Sequence, residues 1–431
     1  MSLRMNSKTL PKGWIEKKLG EICLIKHGFA FKSQFFTSEE SDYVLLTPGS
    51  FYESGGYREQ GEKTKYYIGK IPNGFILKKG DFLFAMTEQA PGLLGSPLIV
   101  PESNRFLHNQ RLGLVQVFDG IDWHNDFFFH LFNTQEFRAA VQSSASGVKV
   151  RHTSPNKLGA ISIRFPPTIV EQKAIADNLN EAFEGIDRAI ANTEKNLTNA
   201  SELFESYLNA IFTKKGKGWT EKKLGDIATF RNGLNFTKSS KGESIKIVGV
   251  KDFQNYFWIQ EDQLDSVTID AELKEIDILR KGDILTVRSN GNKELIGRCV
   301  LAGDLSQKTS HSGFTIRIRI ESENIYPQFI VYSLKSRHIR KQLIESGGGI
   351  SISSLNQQGL SSITISFPKF SEQKAIVANI NEIATESQRL EAIYTQKITA
   401  LNELKQSILQ KAFTGELTAD TPKTAKEEIA A

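Results

Sequence analysis

The segment "EQKAIADNLNE" that begins at Glu171 returns as "EQKAIVANINE" at Glu372, 201 residues later, with eight of eleven positions identical. A second pair keeps the same order: "WIEKKLGEI" at Trp14 and "WTEKKLGDI" at Trp219 share seven of nine positions. Fainter echoes lie between them. These are "KKGDFLF" at Lys78 with "RKGDILT" at Arg280, "SGVKV" at Ser146 with "GGISI" at Gly348, and "ISIRFPP" at Ile161 with "ITISFPK" at Ile363. The chain is a tandem duplication, and its period is too long for the stacked units of a solenoid. Each half must therefore build a core of its own.

A chain of 431 residues has room for two or more such cores. With 39% hydrophobic and 24% charged residues it has the composition of an ordinary globular protein. No apolar run reaches the eighteen or so residues a membrane helix needs. The opening "MSLRMNSKTLPKGW" lacks the apolar centre of a signal peptide, so a cytoplasmic protein with no membrane role is expected. Cys23 and Cys299 fall in different halves among apolar neighbours, which points to buried free thiols rather than a disulfide or a zinc site. A net charge of +5 permits a nucleic-acid partner without demanding one.

From Trp14 to Pro166 short apolar stretches alternate with Gly, Pro, Asn and Ser, which predicts strands and tight turns. One helix is expected over Asn125 to Val141, with a partner over Tyr326 to Ile344. Each W-module reads as α+β. The segments that follow differ in kind. Apolar or small residues recur by threes and fours at Ile175, Leu179, Ala182, Ile186, Ala189, Thr193, Leu197, Ala200, Phe204, Leu208 and Ile211. The second copy repeats this at Ile376, Ile380, Ile383, Ser387, Leu390, Tyr394, Ile398, Leu401, Leu404, Ile408 and Ala412. Such seams predict two long, coiled-coil-like helices that need partners. Connectivity makes them antiparallel and separates two globular α+β modules related by an internal pseudo-two-fold repeat.

No catalytic constellation stands out. There is no G-x-x-x-x-G-K-[ST] loop and no G-x-G-x-x-G after a strand. The Asn/Asp-Pro-Pro-aromatic signature of amino-methyltransferases is also missing. The "EQK" of each repeat imitates a nuclease motif, yet Glu171 and Lys173 lie two apart on a helix and face different ways. Thr168 with Glu171 fits a capping box, and Ser371 is the candidate N-cap of the second helix. Capping explains a glutamate but not eight matching positions, which a repeated docking surface would explain. His27, His108, His124 and His130 show no metal-ligand spacing, and "KSRHIRK" from Lys335 reads as a solvated helix face.

Two pairs of loops are the places left for function. "VRSNGNKELIG" gathers Arg288, Ser289, Asn290, Asn292 and Lys293, a donor-rich set suited to base edges and phosphates. Its counterpart "AMTEQAPGLLG" holds Thr87, Glu88 and Gln89. "GVKVRHTSPNK" offers Lys149, Arg151, His152, Asn156 and Lys157 against Ser351, Ser353 and Asn356 of "GISISSLNQQG". The frames match while the tips differ, as expected of two modules that read different sequences.

The doubled order of W-x-x-x-x-L-G-(D/E)-I, G-D-(I/F)-L, a strand ending in F-P and E-Q-x-x-I resembles the specificity subunit of type I restriction-modification systems, from Trp14 to about Leu417. The resemblance implies a target recognition domain at 1–166, a conserved spacer helix at 167–213, a second domain at 214–368, a second spacer at 369–415 and a flexible tail at 416–431. It also implies no catalytic centre and no cofactor in this chain: S-adenosylmethionine, ATP and Mg²⁺ would act on partners. Those partners would be double-stranded DNA, two adenine-N6 methyltransferase (M) subunits gripping Glu171, Gln172, Ile175, Glu372, Gln373 and Ile376, and restriction-motor (R) subunits. The target would be bipartite and asymmetric, with a fixed unread gap. A DNA-specificity subunit of a methyltransferase-only or other restriction-modification system, a nuclease or methyltransferase with an unfamiliar active site, and a coiled-coil adaptor that binds no DNA remain as alternatives.

Overall fold

The computed structural model describes residues 10–89, 91–237, 239–254, 257–345 and 354–414. Two long helices, Ile169–Lys214 and Phe370–Thr414, carry 46 and 45 residues. The chain divides into two compact units, Met1–Asn192 with Lys397–Ala431, and Thr193–Gln396. Each unit thus combines one W-module with part of each long helix, and the boundary cuts through the helices rather than at their ends. The expected tail 416–431 lies outside the described residues.

In the first unit, Ile15–Lys18 pairs antiparallel with Ser162–Phe165, which ties the W-motif to the F-P strand. Beside this ribbon a four-stranded antiparallel sheet runs Cys23–His27, Leu112–Val117, Phe82–Ala85, Pro97–Ile99. A smaller mixed sheet joins Phe36–Thr37, Tyr66–Tyr67, Val44–Leu45 and Phe106–Leu107. The core collects Trp14, Phe82, Phe84, Phe127, Phe128 and Phe132 with Ile175, Leu179 and Phe183 of the first long helix and Leu409 and Ala412 of the second. The start of one helix therefore lies with the end of the other, antiparallel as the repeat predicts. Lys405 bonds both oxygens of Asp187 at 2.7 Å and sits 5.0 Å from the Phe183 ring centre. Leu404, placed on the seam by its spacing, is exposed instead. Lys405 takes its place because the stem of lysine packs on apolar surface while its ammonium reaches a carboxylate.

The second unit repeats this plan. Thr220–Lys223 pairs with Thr364–Phe367, and the four-stranded sheet runs Ala228–Asn232, Thr315–Ile320, Ile284–Val287, Cys299–Leu301. A three-stranded sheet adds Asp265–Thr268, Ser244–Val248 and Thr309–His311. Leu208 and Phe212 of the first long helix share its core with Val377 and Ile380 of the second. Ser387 Oγ donates to Ala200 O and Ser201 Oγ to Glu391, both at 2.7 Å. The indole of Trp14 lies 6.2 Å from Phe413 in the first unit, and that of Trp219 lies 6.5 Å from Phe212 in the second. Both "KGD" turns place glycine at positive φ, +88° at Gly80 and +91° at Gly282, where a side chain would strain the backbone.

Four local expectations change. The helix over Asn125 to Val141 is two helices, Asn125–Phe132 and Gln135–Ser144, because Thr134 caps the second by accepting from Phe137 N at 3.3 Å. Likewise Pro327–Lys335 and Arg337–Glu345 break at Ser336, whose Oγ turns back onto Ser333 O at 2.6 Å. The "KSRHIRK" run is no uniformly solvated face: Lys335 is half-buried with its ammonium 5.5 Å from the Phe257 ring centre, and burial lowers its pKa. Ser371 is inside the second long helix rather than its N-cap, since that helix begins one residue earlier with Glu372 N and Gln373 N both donating to Lys369 O at 2.9 and 3.0 Å. Cys23 and Cys299 are buried free thiols, as read from their neighbours, and burial pushes Cys23 up to about 12.

Candidate nucleic-acid interface

The two loop segments singled out in each module come together in space. In the first, Arg151–His152 pairs antiparallel with Thr87–Glu88, and Thr153 N donates to Met86 O at 2.9 Å. In the second, Ser289 bridges Ser354 and Leu355 N donates to Arg288 O at 2.8 Å. Ser154 and Asn356 then cap matching short helices, accepting from Lys157 N at 3.4 Å and Gly359 N at 2.7 Å. Asn356 thus serves the backbone, with its side chain at the surface.

Several of the first module's candidates hold the loop itself. Arg151 donates to Gln142 O at 2.7 Å and lies 3.8 Å from Glu88. Lys157 Nζ and His152 Nε2 meet on Ser146 Oγ at 3.0 and 3.1 Å. Gln89, Lys149, His152 and Asn156 are exposed, Thr87 is half-buried, and Val148 at the tip is 99% exposed. Glu88, named with Thr87 and Gln89 as part of the loop, is an anchor, a role the sequence does not show. It is 3% exposed and accepts from Gly92 N, Leu94 N and Gln142 Nε2 at 2.9 to 3.2 Å. A buried carboxylate so satisfied fixes a loop rather than a ligand.

In the second module Arg288, Ser289 and Asn290 are half-buried and Asn292 is exposed. Asn290 and Asn292 accept from Asn292 N and Glu294 N at 2.8 and 3.0 Å, turns that shape the loop through its own side chains. Lys293 starts a short 3₁₀ turn, while its side chain, Ser351 and Ser353 lie outside the described residues. Among the described residues no group of three His, Cys, Asp or Glu is placed to hold a metal ion.

The repeated "EQKAI" has an internal role. Gln172 is 0% exposed: its Oε1 accepts from His124 N at 2.9 Å and its Nε2 donates to Asp122 O and Pro166 O at 3.1 and 3.0 Å. Gln373, also 0% exposed, accepts from Tyr326 N at 2.8 Å and donates to Asn324 O and Pro368 O at 3.1 and 2.9 Å. One amide closes the strand end, the loop and the helix start in each unit. Two turns on, Asn180 pairs with His130 Nε2 at 2.7 Å and Asn381 accepts from Tyr332 Oη at 2.6 Å. Ile175 is buried in its core and Ile376 packs on the edge of the other. Glu171 is half-exposed and Glu372 exposed. Thr168 caps the first helix by accepting from Glu171 N at 3.4 Å.

Two like-folded modules, each with a two-segment loop edge and a polar lock onto long helices, define a tandem recognition protein. The chain matches the type I restriction modification DNA specificity domain twice, over residues 11–199 and 216–400, and belongs to that family as a specificity subunit with two recognition domains. The type I restriction enzyme EcoBI specificity subunit of Escherichia coli is 24% identical over 94% of this chain and 86% of the relative. The MjaVIII specificity subunit of Methanocaldococcus jannaschii is 24% identical over 96% and 95%. In fold, a chain solved in work on complex assembly and conformational transition of the type I R-M system matches with a TM-score of 0.74 at 18% identity, over 95% of this chain and 99% of that one. The HsdS subunit from Thermoanaerobacter tengcongensis matches with a TM-score of 0.58 at 18% identity, over the same shares. No helix among the described residues is long and apolar enough to cross a membrane.

Proposed function

We propose that this chain reads an asymmetric, bipartite double-stranded DNA target with its two recognition domains and docks two adenine-N6 methyltransferase subunits, which restriction-motor subunits join for cleavage. S-adenosylmethionine, ATP and Mg²⁺ act on those partners, in the cytoplasm, and this chain supplies no catalytic group. The observation that carries the reading is how the eight repeated residues divide. Gln and Ile of each copy pack into their module, the second Asn bonds back to it from an exposed position, and Lys173 and Lys374 are exposed, Lys374 lying 4.6 Å from the Phe370 ring centre. Glu171, Ala174, Asn178 and Glu181 fall at steps of three, four and three on one side of the helix, and Glu372, Ala375, Asn379 and Glu382 repeat them. All but the half-exposed Glu171 are exposed. A surface stripe that packing does not require, present twice, suits a partner present twice.

On the DNA side the differing loop tips favour unlike half-sites. Each good side-chain contact to a base supplies about 1 to 3 kcal/mol of discrimination, and linking two weak readers makes the second contact intramolecular. The test is methylome sequencing of cells that express the chain with its cognate methyltransferase; two unlike half-sites around a fixed gap are expected, and a short continuous motif would sink the reading. The double variant Glu181→Lys with Glu382→Lys is expected to abolish co-purification of the methyltransferase while the chain stays folded. Robust turnover of DNA by the purified chain alone would favour an enzyme instead.

A further inference from the structure

In each module a third segment is bonded into the loop edge. Met86 N donates to Arg111 O at 2.9 Å, and Arg288 N and Ser289 N donate to Phe314 O at 2.8 and 3.3 Å. With Thr153 on Met86 and Leu355 on Arg288, these contacts make a ladder of three strands of chain: 111, 86 and 153 in one module, 314, 288 and 355 in the other. Neither Arg111 nor Phe314 lies in the variable loops that the sequence points to. They occupy the same turn, between a buried histidine and the second strand of the four-stranded sheet.

That turn is built to be rigid. In the first module His108 bonds Leu112 O through Nε2 at 3.0 Å, Leu112 N donates to Asn109 O at 2.9 Å, and Arg111 N donates to Asn109 Oδ1 at 3.2 Å. In the second, Thr315 Oγ1 donates to Ser312 O and pairs with His311 Nδ1, both at 2.8 Å, and Gly313 N donates to Leu234 O at 2.7 Å. Both histidines are about fully buried, 0% and 1% exposed. The side chains the turn carries point the other way: Arg111 is exposed, and Phe314 is 63% exposed although it is a large aromatic residue beside a well-packed sheet. A stiff polar turn that holds one arginine and one phenylalanine out, each locked to the first reading loop, matches what preorganised recognition needs.

We infer that this turn is a third reading element of each recognition domain, an inference that rests on the DNA-reading function proposed above. Arg111 contacts a guanine through O6 and N7, for which its forked guanidinium is matched, and Phe314 contacts a thymine methyl, the apolar feature of the major groove. The two modules then differ in chemistry at one structural position, which is how one backbone specifies unlike half-sites.

The test is methylome sequencing with the cognate methyltransferase for the unaltered chain, R111A, R111K and F314A. R111A and R111K are expected to relax one G·C position of one half-site, because lysine keeps the charge and loses the fork. F314A is expected to relax one A·T position of the other half-site. Discrimination should fall roughly 5- to 150-fold at the affected position, the range of a good base contact. A uniform loss of methylation at every site in R111A would assign Arg111 to phosphate and overturn the inference, as would motifs unchanged in all three variants. Failure of the unaltered chain to direct methylation to a bipartite target would instead remove the function on which the inference rests. Unchanged unfolding midpoints, expected for exposed side chains, separate lost reading from lost folding.

Discussion

The two modules share a backbone but solve one packing problem in opposite ways. In the first, Lys26 stands opposite Leu114, donates to Gly74 O at 3.2 Å and lies 4.8 Å from the Phe75 ring centre. In the second, Arg231 stands opposite Arg317 and ion-pairs with Asp277, Arg317 donates to Ile276 O at 2.7 Å, and Arg319 grips Asp283 through two 2.7 Å bonds. One strand pair carries a lone cation on an aromatic ring, the other a ladder of charges. The Gln172 and Gln373 locks, by contrast, match bond for bond. Polar groups are replaced as sets where a sheet face is free to vary, and kept where one amide must close three pieces of backbone.

The largest expected difference follows from the ladder. Asp283→Ala removes both carboxylate bonds of Arg319, whose side chain is only 18% exposed, and should cost about 3 to 5 kcal/mol, as breaking a buried pair does. Asp81 holds the corresponding turn by accepting from Lys78 N at 2.8 Å, so Asp81→Ala should cost about 1 kcal/mol. Urea unfolding of both variants checks this; equal losses would mean that the ladder adds nothing to the second unit. Next in size, Gln172→Met and Gln373→Met each strand one N–H and two carbonyls, and each should cost about 3 kcal/mol. Here the comparison demands equality, and a marked asymmetry would break the claim that the locks are the same device.

A smaller contrast lies in acid. Burial lowers His108 to about 4, helped by Lys26 and His27, and lowers His311 to about 3, with Arg317 and Arg231 lowering it and Asp277 opposing. An unfolded histidine titrates near 6.5, so below that pH the unfolded chain takes up protons that the fold refuses. The contribution is intact above 6.5 and is lost as pH falls, until the folded group itself titrates: near 4 in the first unit, near 3 in the second. The extra unit of pH amounts to about 1 kcal/mol of further loss in the second unit. Hydrogen exchange read by segment, corrected for intrinsic rates and compared with His108→Gln and His311→Gln, checks it.

The duplication, the α+β modules and the long antiparallel helices were legible because repeats and seams of threes and fours are written in residue order. What the repeats were for was not. Gln172 reads as a docking residue until Asp122, His124 and Pro166 close around it, and those partners share no pattern with it along the chain. The same holds for Glu88, whose neighbours of Gly92, Leu94 and Gln142 turn a loop tip into an anchor. The loop pairs were found because their tips differ between copies. The turn at Arg111 and Phe314 escaped because its importance lies in hydrogen bonds to other segments.

The smallest predicted effect tests how far the two helix starts are alike. Thr168 accepts from Glu171 N across three residues, a capping bond that is long at 3.4 Å and exposed. Lys369, at the same place before the second helix, has an ammonium and can accept nothing, so that start rests on the backbone bonds of Lys369 O and on Gln373. Thr168→Ala should therefore cost about 0.5 kcal/mol, the low end for a lost N-cap, and Lys369→Ala should change stability by less than that. The converse is sharper. Lys369→Thr supplies the missing acceptor and should stabilise the second unit by about the amount that Thr168→Ala removes from the first. If it does not, the second helix start is set by the Gln373 lock alone, and the capping signal that reads so plainly in the first copy is incidental to where either helix begins.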